Sequence, residues 1–171
     1  MEAAMHGYSK CVAVLAAAGA DLDAQHSDVD GATPLILGAG NGHKAAVEEL
    51  VRAKAGLEVR DDNGVTPLIW SASWGHKDIT QVLIDAKANL EAKDNRGMTS
   101  LIHTSGCRMA GANVDVMHTL VNAKASLSAR DNLGHTALDA AIIADATDHS
   151  GGHAASTLRQ LGASDQEPWQ A

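Results

Sequence analysis

The chain has 171 residues, 45% hydrophobic and 20% charged, an ordinary composition for one domain with a sizeable core. Aromatic residues make up only 2%, with no Phe, so that core must be built from Ala, Val, Leu and Ile in close contact. A net charge of −8 without any Lys/Arg run argues against binding nucleic acid or an anionic membrane surface, and no apolar stretch reaches the roughly 18 residues of a membrane span.

The first predicted element is a helix end, EAAM, followed by a second helix, CVAVLAAA, and an arm, GADLDAQ (19–25). This opening stretch has no turn or helix start of its own and no polar cap before its apolar helix. Its N-terminal face is expected to pack on a partner or to be completed by residues outside this sequence. The turn DVDG and the segment GATPLI (31–36) then open a helix, and Val47, Leu50 and Val51 give the next helix one apolar stripe.

The same order returns in DDNG, GVTPLI (64–69) and HKDITQVLIDA. Asp and Asn before Gly predict a tight turn, Thr66 an N-cap and Pro67 a first helical residue. The helix runs through Leu68, Trp70 and Ala72 and breaks at Gly75. A second helix carries Ile79, Val82 and Leu83, and an extended arm follows. DNRG with GMTSLI (97–102) and DNLG with GHTALD (134–139) open two further units. Thr33, Thr66 and Thr99 are 33 residues apart, and Thr136 follows after 37. AKAGLE, AKANLE and AKASLS move in step with them. One such unit cannot bury its own stripe, so units must stack into a solenoid.

DDNGVTPLIWSASWGHKDITQVLIDAKANLEAK (61–93), GADLDAQ and the pairs Gly42-His43 and Gly75-His76 resemble the ankyrin-repeat family. The resemblance covers 1–163 and implies an all-α ankyrin-repeat solenoid of about five units: 1–27 (incomplete), 28–60, 61–93, 94–130 and 131–163. Helix-turn-helix pairs would be joined by short hairpin-like turns, with 164–171 as a tail containing Trp169. The family's His after Thr-Pro-Leu is replaced by Ile36, Ile69 and Ile102, which puts the usual bonding between units in doubt. Its Gly after the second helix is replaced by Lys54, Lys87 and Lys124, which would have to adopt a left-handed conformation. Extra residues near 107–112 suggest a longer first helix and loop in the fourth unit, and others lie at 145–153.

The resemblance implies a concave surface made of turns and first helices that binds a protein. Carried over, it places Trp70, Trp74, Ser73, Asp62, Asn63, Val65 and Lys93 of the third unit there. It adds Asp30, Ala32, Asn41 and Arg60 from the second unit, and Asn95, Arg96, Met98, His103, Cys107 and Arg130 from the fourth. Asn132, Leu133 and His135 come from the fifth. Trp70 is read as either packing or contact, and Trp74, beside the Gly75 break, as contact.

Catalytic groupings are few. His43 and His76 read as structural, and His26 and His118 as solvated. Asp145, Asp148, His149 and His153 could ligate a metal, but Ser150-Gly151-Gly152 would break the helix that needs. His103 and Cys107 are four apart, without an oxyanion site, and read as a solvated His and a small apolar Cys. The expectation is a non-enzymatic recognition module with no cofactor, metal or small-molecule substrate. Two cysteines far apart and no signal-peptide pattern point to the cytoplasm. The alternatives are a segment that regulates a neighbouring domain of a larger protein, or a metal or enzymatic role for 145–153.

Overall fold

The computed structural model describes residues 1–106, 112–147 and 153–163. Within them the chain forms α1 (Glu2–Met5), α2 (Ser9–Ala17), α3 (Pro34–Gly40), α4 (Lys44–Arg52), α5 (Pro67–Ser73) and α6 (Lys77–Asp85). Next come α7 (Ser100–Gly106), α8 (Ala112–Asn122), α9 (Ala137–Thr147) and α10 (Ala154–Gln160). No strand occurs among the described residues, and one isolated bridge joins His26 to Ala32. The odd-numbered helices pack in one row, α1 on α3 on α5 on α7 on α9, and the even-numbered helices in a second. The architecture is an all-α solenoid, and no helix among the described residues is long and apolar enough to cross a membrane.

Local chemistry sets the helix starts. The hydroxyls of Thr33, Thr66 and Thr99 accept the N–H groups of Ile36, Ile69 and Ile102 at 3.3, 3.3 and 3.4 Å. Pro34 and Pro67 occupy the first helical turn, and Ser100 stands in their place in α7 with its hydroxyl buried and unpartnered. Lys54, Lys87 and Lys124 are left-handed, with φ of 66°, 73° and 75°. They let each helix close with a pair of backbone hydrogen bonds. Lys54 donates to the Val51 carbonyl, and Ala55 donates to that of Leu50, both at 3.0 Å.

That closing bond also gives the core its register. Leu50, Leu83, Leu120 and Leu158 precede the same turn and are all buried, as are Leu35, Leu68, Leu101 and Leu138 in the first-helix row. Ala39, Ala46, Ala72 and Ala141 are fully buried, which lets helices without large rings approach closely. Leu15 makes the same bond, from Ala20 at 3.1 Å, yet is 46% exposed where Leu50 is 1% exposed. Tyr8, Cys11 and Val14 are exposed beside it, so the first pair presents an apolar face, as its sequence predicts.

Ile36, Ile69 and Ile102 fill the positions of the absent His with buried apolar packing. Other groups carry the bonds between units. Backbone N–H groups of Asp62, Asn95 and Asn132 donate to the carbonyls of Asp30, Asn63 and Arg96 at 2.8, 3.0 and 2.9 Å. The carboxylates of Asp23, Glu58 and Glu91 accept the N–H groups of Gly56, Asn89 and Ser126 at 2.7, 2.7 and 2.8 Å. His76 Nε2–H donates to the Gly40 carbonyl at 2.9 Å, the structural role expected of it. Gly64 must be glycine twice over. Its φ is 77°, and a Cβ would lie 2.9 Å from the backbone N of Asn95.

Some expectations are corrected. As described, α7 has seven residues like α3 and α5, while α8 and α9 have eleven each. The extra residues expected to lengthen the first helix and loop of the fourth unit fall at 107–111, outside the described residues. His26 is half-buried and not simply solvated. Its Nδ1 accepts the Asp28 N–H at 3.2 Å and caps the short 3-10 turn Ser27–Val29. His118 is likewise half-buried.

Candidate protein-binding site

The site starts from one buried carboxylate. Asp61, 6% exposed, accepts the N–H groups of Asn63 and Val65 on Oδ1 at 2.9 and 2.8 Å and so shapes the DDNG turn. Its Oδ2 accepts the indole Nε1–H of Trp70 at 2.8 Å. A charged acceptor within a packed turn fixes the ring strongly. Trp70 is half-buried, and its ring lies against Gly40 of α3, where a Cβ would sit 3.3 Å from the indole.

Trp74 is one helical turn on. Its ring is parallel to that of Trp70, with centroids 6.4 Å apart and planes 5° apart, and the residue is 48% exposed. Both rings border a cleft of about 240 Å³ between the second and third units. Val29, Asp30, Leu37 and Asn41 also line it. Asn41 Nδ2 donates to the Met5 carbonyl at 3.3 Å. Of the expected contact residues, the structure thus brings Trp70, Trp74, Asp30, Ala32 and Asn41 together.

The other expected residues divide into groups. Asp62 and Asn63 are exposed at the turn tip, and Ser73 is half-buried with its hydroxyl bonded to the Ile69 carbonyl at 2.8 Å. Val65 is buried within its turn and is not a surface residue, while Ala32 is buried at the wall of the tryptophan cleft. Arg60 and Lys93 are exposed but used internally. Each donates to the backbone carbonyl of its counterpart one unit on, Lys93 and Arg130, at 3.1 and 2.8 Å. Arg130 donates to the Gly134 carbonyl. Leu133 is exposed at its turn tip, and His135 lies within reach of Asp131 Oδ2 at 3.4 Å.

The fourth unit repeats the Asp61 geometry with other side chains. Asp94 Oδ1 accepts the N–H groups of Arg96 and Met98, and Oδ2 accepts His103 Nε2–H at 3.0 Å and Arg96 Nε–H at 3.2 Å. His103 stands where Trp70 stands, so it is a turn brace and not a solvated side chain. Burial pushes the Asp94 carboxyl up, but the donors Met98, His103 and Arg96 outweigh it and hold the group below the usual carboxylate range. Burial pushes the His103 imidazole below its ordinary value, and Asp94 restores only part of that. Met98, Ile102, His135 and Ile143 line a second cleft of about 390 Å³ on the same side of the array. Cys107 lies outside the described residues, as do Asp148, His149 and Trp169.

Among the described residues no group of three or more His, Cys, Asp or Glu is placed to hold a metal ion. Asp145 Oδ2 accepts the Ala155 N–H at 3.2 Å, and His153 precedes α10 with its carbonyl accepting from the Ser156 hydroxyl. Sequence reading found the tryptophans but missed Asp61 and Gly40, which hold Trp70 in place. The signal for Gly40 was present in GAGNG, where the next unit has SASWG.

A family model for ankyrin repeats, in three copies, matches residues 1–94. No curated protein matches the chain. Ankyrin repeats are generally protein–protein interaction modules and are typically non-catalytic. With over half its length matched and helix pairs stacked throughout the described residues, the chain belongs to the ankyrin-repeat family.

Proposed function

We propose that this chain is a non-catalytic recognition module that binds a protein through the concave face formed by its turns and first helices, in an intracellular setting. One observation carries the reading. Trp74 leaves half its surface open while a braced, parallel Trp70 holds it over a cleft. A rigid aromatic anchor beside a pocket is the usual make-up of a binding hot spot. The helices and braces on either side are already formed, so little ordering cost opposes binding.

The test is capture of partners from the native cell extract by the full chain and by Trp74→Ala, followed by calorimetry with the recovered protein. Trp74→Ala should weaken binding by about 2 kcal/mol or more and leave the fold largely intact. If it lowers thermal stability sharply while binding per folded molecule is unchanged, Trp74 is core and the reading fails.

The apolar face at Val14 and Leu15 supports a second reading, in which the array packs on and regulates a neighbouring domain of a larger protein. Val14→Asp with Leu15→Asp should then release that domain's control while sparing capture through Trp74. Unchanged control would reject it.

A further inference from the structure

We infer that the tryptophan cleft takes an arginine side chain from an extended segment of the protein partner, with its guanidinium on the Trp74 ring and paired to Asp30 and Asp62. The inference rests on the concave-face reading above and names the chemistry of its occupant.

The cleft has an open aromatic face and uncompensated negative charge. Its two ionisable lining residues are Asp30 and Asp61, and Asp61 is fully engaged by Asn63, Val65 and Trp70. The Asp30 carboxylate has no hydrogen bond or ion pair among the described residues, and no Lys or Arg lines the cleft. Asp62 is outside the lining but tied to it, its N–H donating to the Asp30 carbonyl at 2.8 Å; its carboxylate lies over Gly31, the next residue, and is also unpaired among the described residues.

Asp62 is the departure that points to a purpose. Asn95 and Asn132 hold the same place in the next units, and each amide donates to the carbonyl of the residue one unit back, Asp62 and Asn95, at 3.0 and 3.1 Å. An aspartate has no hydrogen to donate, so the third unit forgoes this bond and places a charge over Gly31, one residue from Asp30 of the cleft, instead. The nearby cations Arg60 and Lys93 donate to carbonyls of the arms, and among the described residues neither carboxylate has a salt-bridge partner. The chain as a whole carries −8.

Size and shape fit the same occupant. A cleft of about 240 Å³ is below the roughly 300–1,000 Å³ typical of small-molecule sites but can admit one long side chain. A planar guanidinium stacks on an indole and forks to carboxylates, which an ammonium does less well. A leucine would cover the ring but desolvate Asp30 without a partner. A glutamate would be repelled.

The test uses the ¹⁵N-labelled full chain and four peptides, acetyl-Gly-Ala-Xaa-Ala-Gly-amide with Arg, Lys, Leu or Glu as Xaa. The indole N–H signals of Trp70 and Trp74 are followed, with Trp169 assigned through Trp169→Phe. The Arg peptide should shift both signals saturably, the Lys peptide more weakly, and the Leu and Glu peptides not at all. Asp30→Asn should weaken Arg binding roughly three- to tenfold, as should high salt. Asn tolerates the left-handed φ of 49° at this position, so the variant should fold. Equal binding of the Leu peptide, or unchanged Arg binding in Asp30→Asn with Asp62→Asn, would overturn the inference and leave the cleft as an uncharged contact surface. So would the absence of any shift with the Arg peptide up to about 10 mM. Failure of the concave-face reading shows separately, as unchanged capture by Trp74→Ala.

Discussion

Removing the Asp61 carboxylate tests whether the turn and the aromatic site are one mechanical unit. Asp61→Ala deletes three accepted bonds, from Asn63, Val65 and Trp70. Hydrogen bonds to a charged group contribute about 1.5–3 kcal/mol each, but the exposed turn tip lets water replace part of that loss, so about 3–5 kcal/mol is expected in total. Trp70→Phe removes only the indole donor and leaves Oδ2 without its partner. The double variant isolates the Asp61–Trp70 bond, with an expected coupling of about 1.5–3 kcal/mol. Urea unfolding followed by far-ultraviolet circular dichroism measures each stability. A coupling below about 0.5 kcal/mol would refute the argument, because the 2.8 Å bond would then contribute no more than an exposed contact.

Three further outcomes follow from named positions. Lys87→Gly should stabilise the array by about 1 kcal/mol in the same urea assay, since φ of 73° costs a side chain what it does not cost glycine. Ser100→Pro should raise the thermal midpoint by a few degrees, for roughly 0.5–1 kcal/mol, because proline pre-sets the helix start and removes a buried unpartnered hydroxyl. Acidification should destabilise the fold in two stages. The His103 imidazole sits below its ordinary value when folded, so its contribution is full above about pH 6.5 and falls as pH drops below that. The Asp94 carboxyl is also held down, so its contribution is lost in turn below about pH 4. His103→Gln should flatten the first stage in pH-dependent unfolding; an unchanged slope would reject the assignment.

Much of this protein was legible because its information is local and repeated. The Asp/Asn-Gly turns, the Thr caps, the Pro starts and the Leu stripe each follow from the chemistry of a few neighbouring residues. The period multiplies every one of them. Even the left-handed lysines were readable, because Lys54, Lys87 and Lys124 stand where a helix must reverse. The i, i+4 spacing likewise placed Trp70 and Trp74 on one helix face.

Tertiary structure decided what those side chains do. Arg60 and Lys93 read as free surface cations, yet each reaches a carbonyl one unit away, a partner 33 or 37 residues distant in sequence. His103 became a turn brace because folding carries Asp94 beneath it, nine positions back. Val65 looked exposed in a turn but closes against its neighbours. Trp70 and Trp74 differ in role although their sequence settings are alike. Asp61 and Gly40 hold one ring, while the open end of the cleft leaves the other half exposed. Sequence therefore determined the unit and its period, since short-range backbone chemistry fixes both. The division between scaffold and surface depended on which atoms the stacking of units brings within hydrogen-bonding distance.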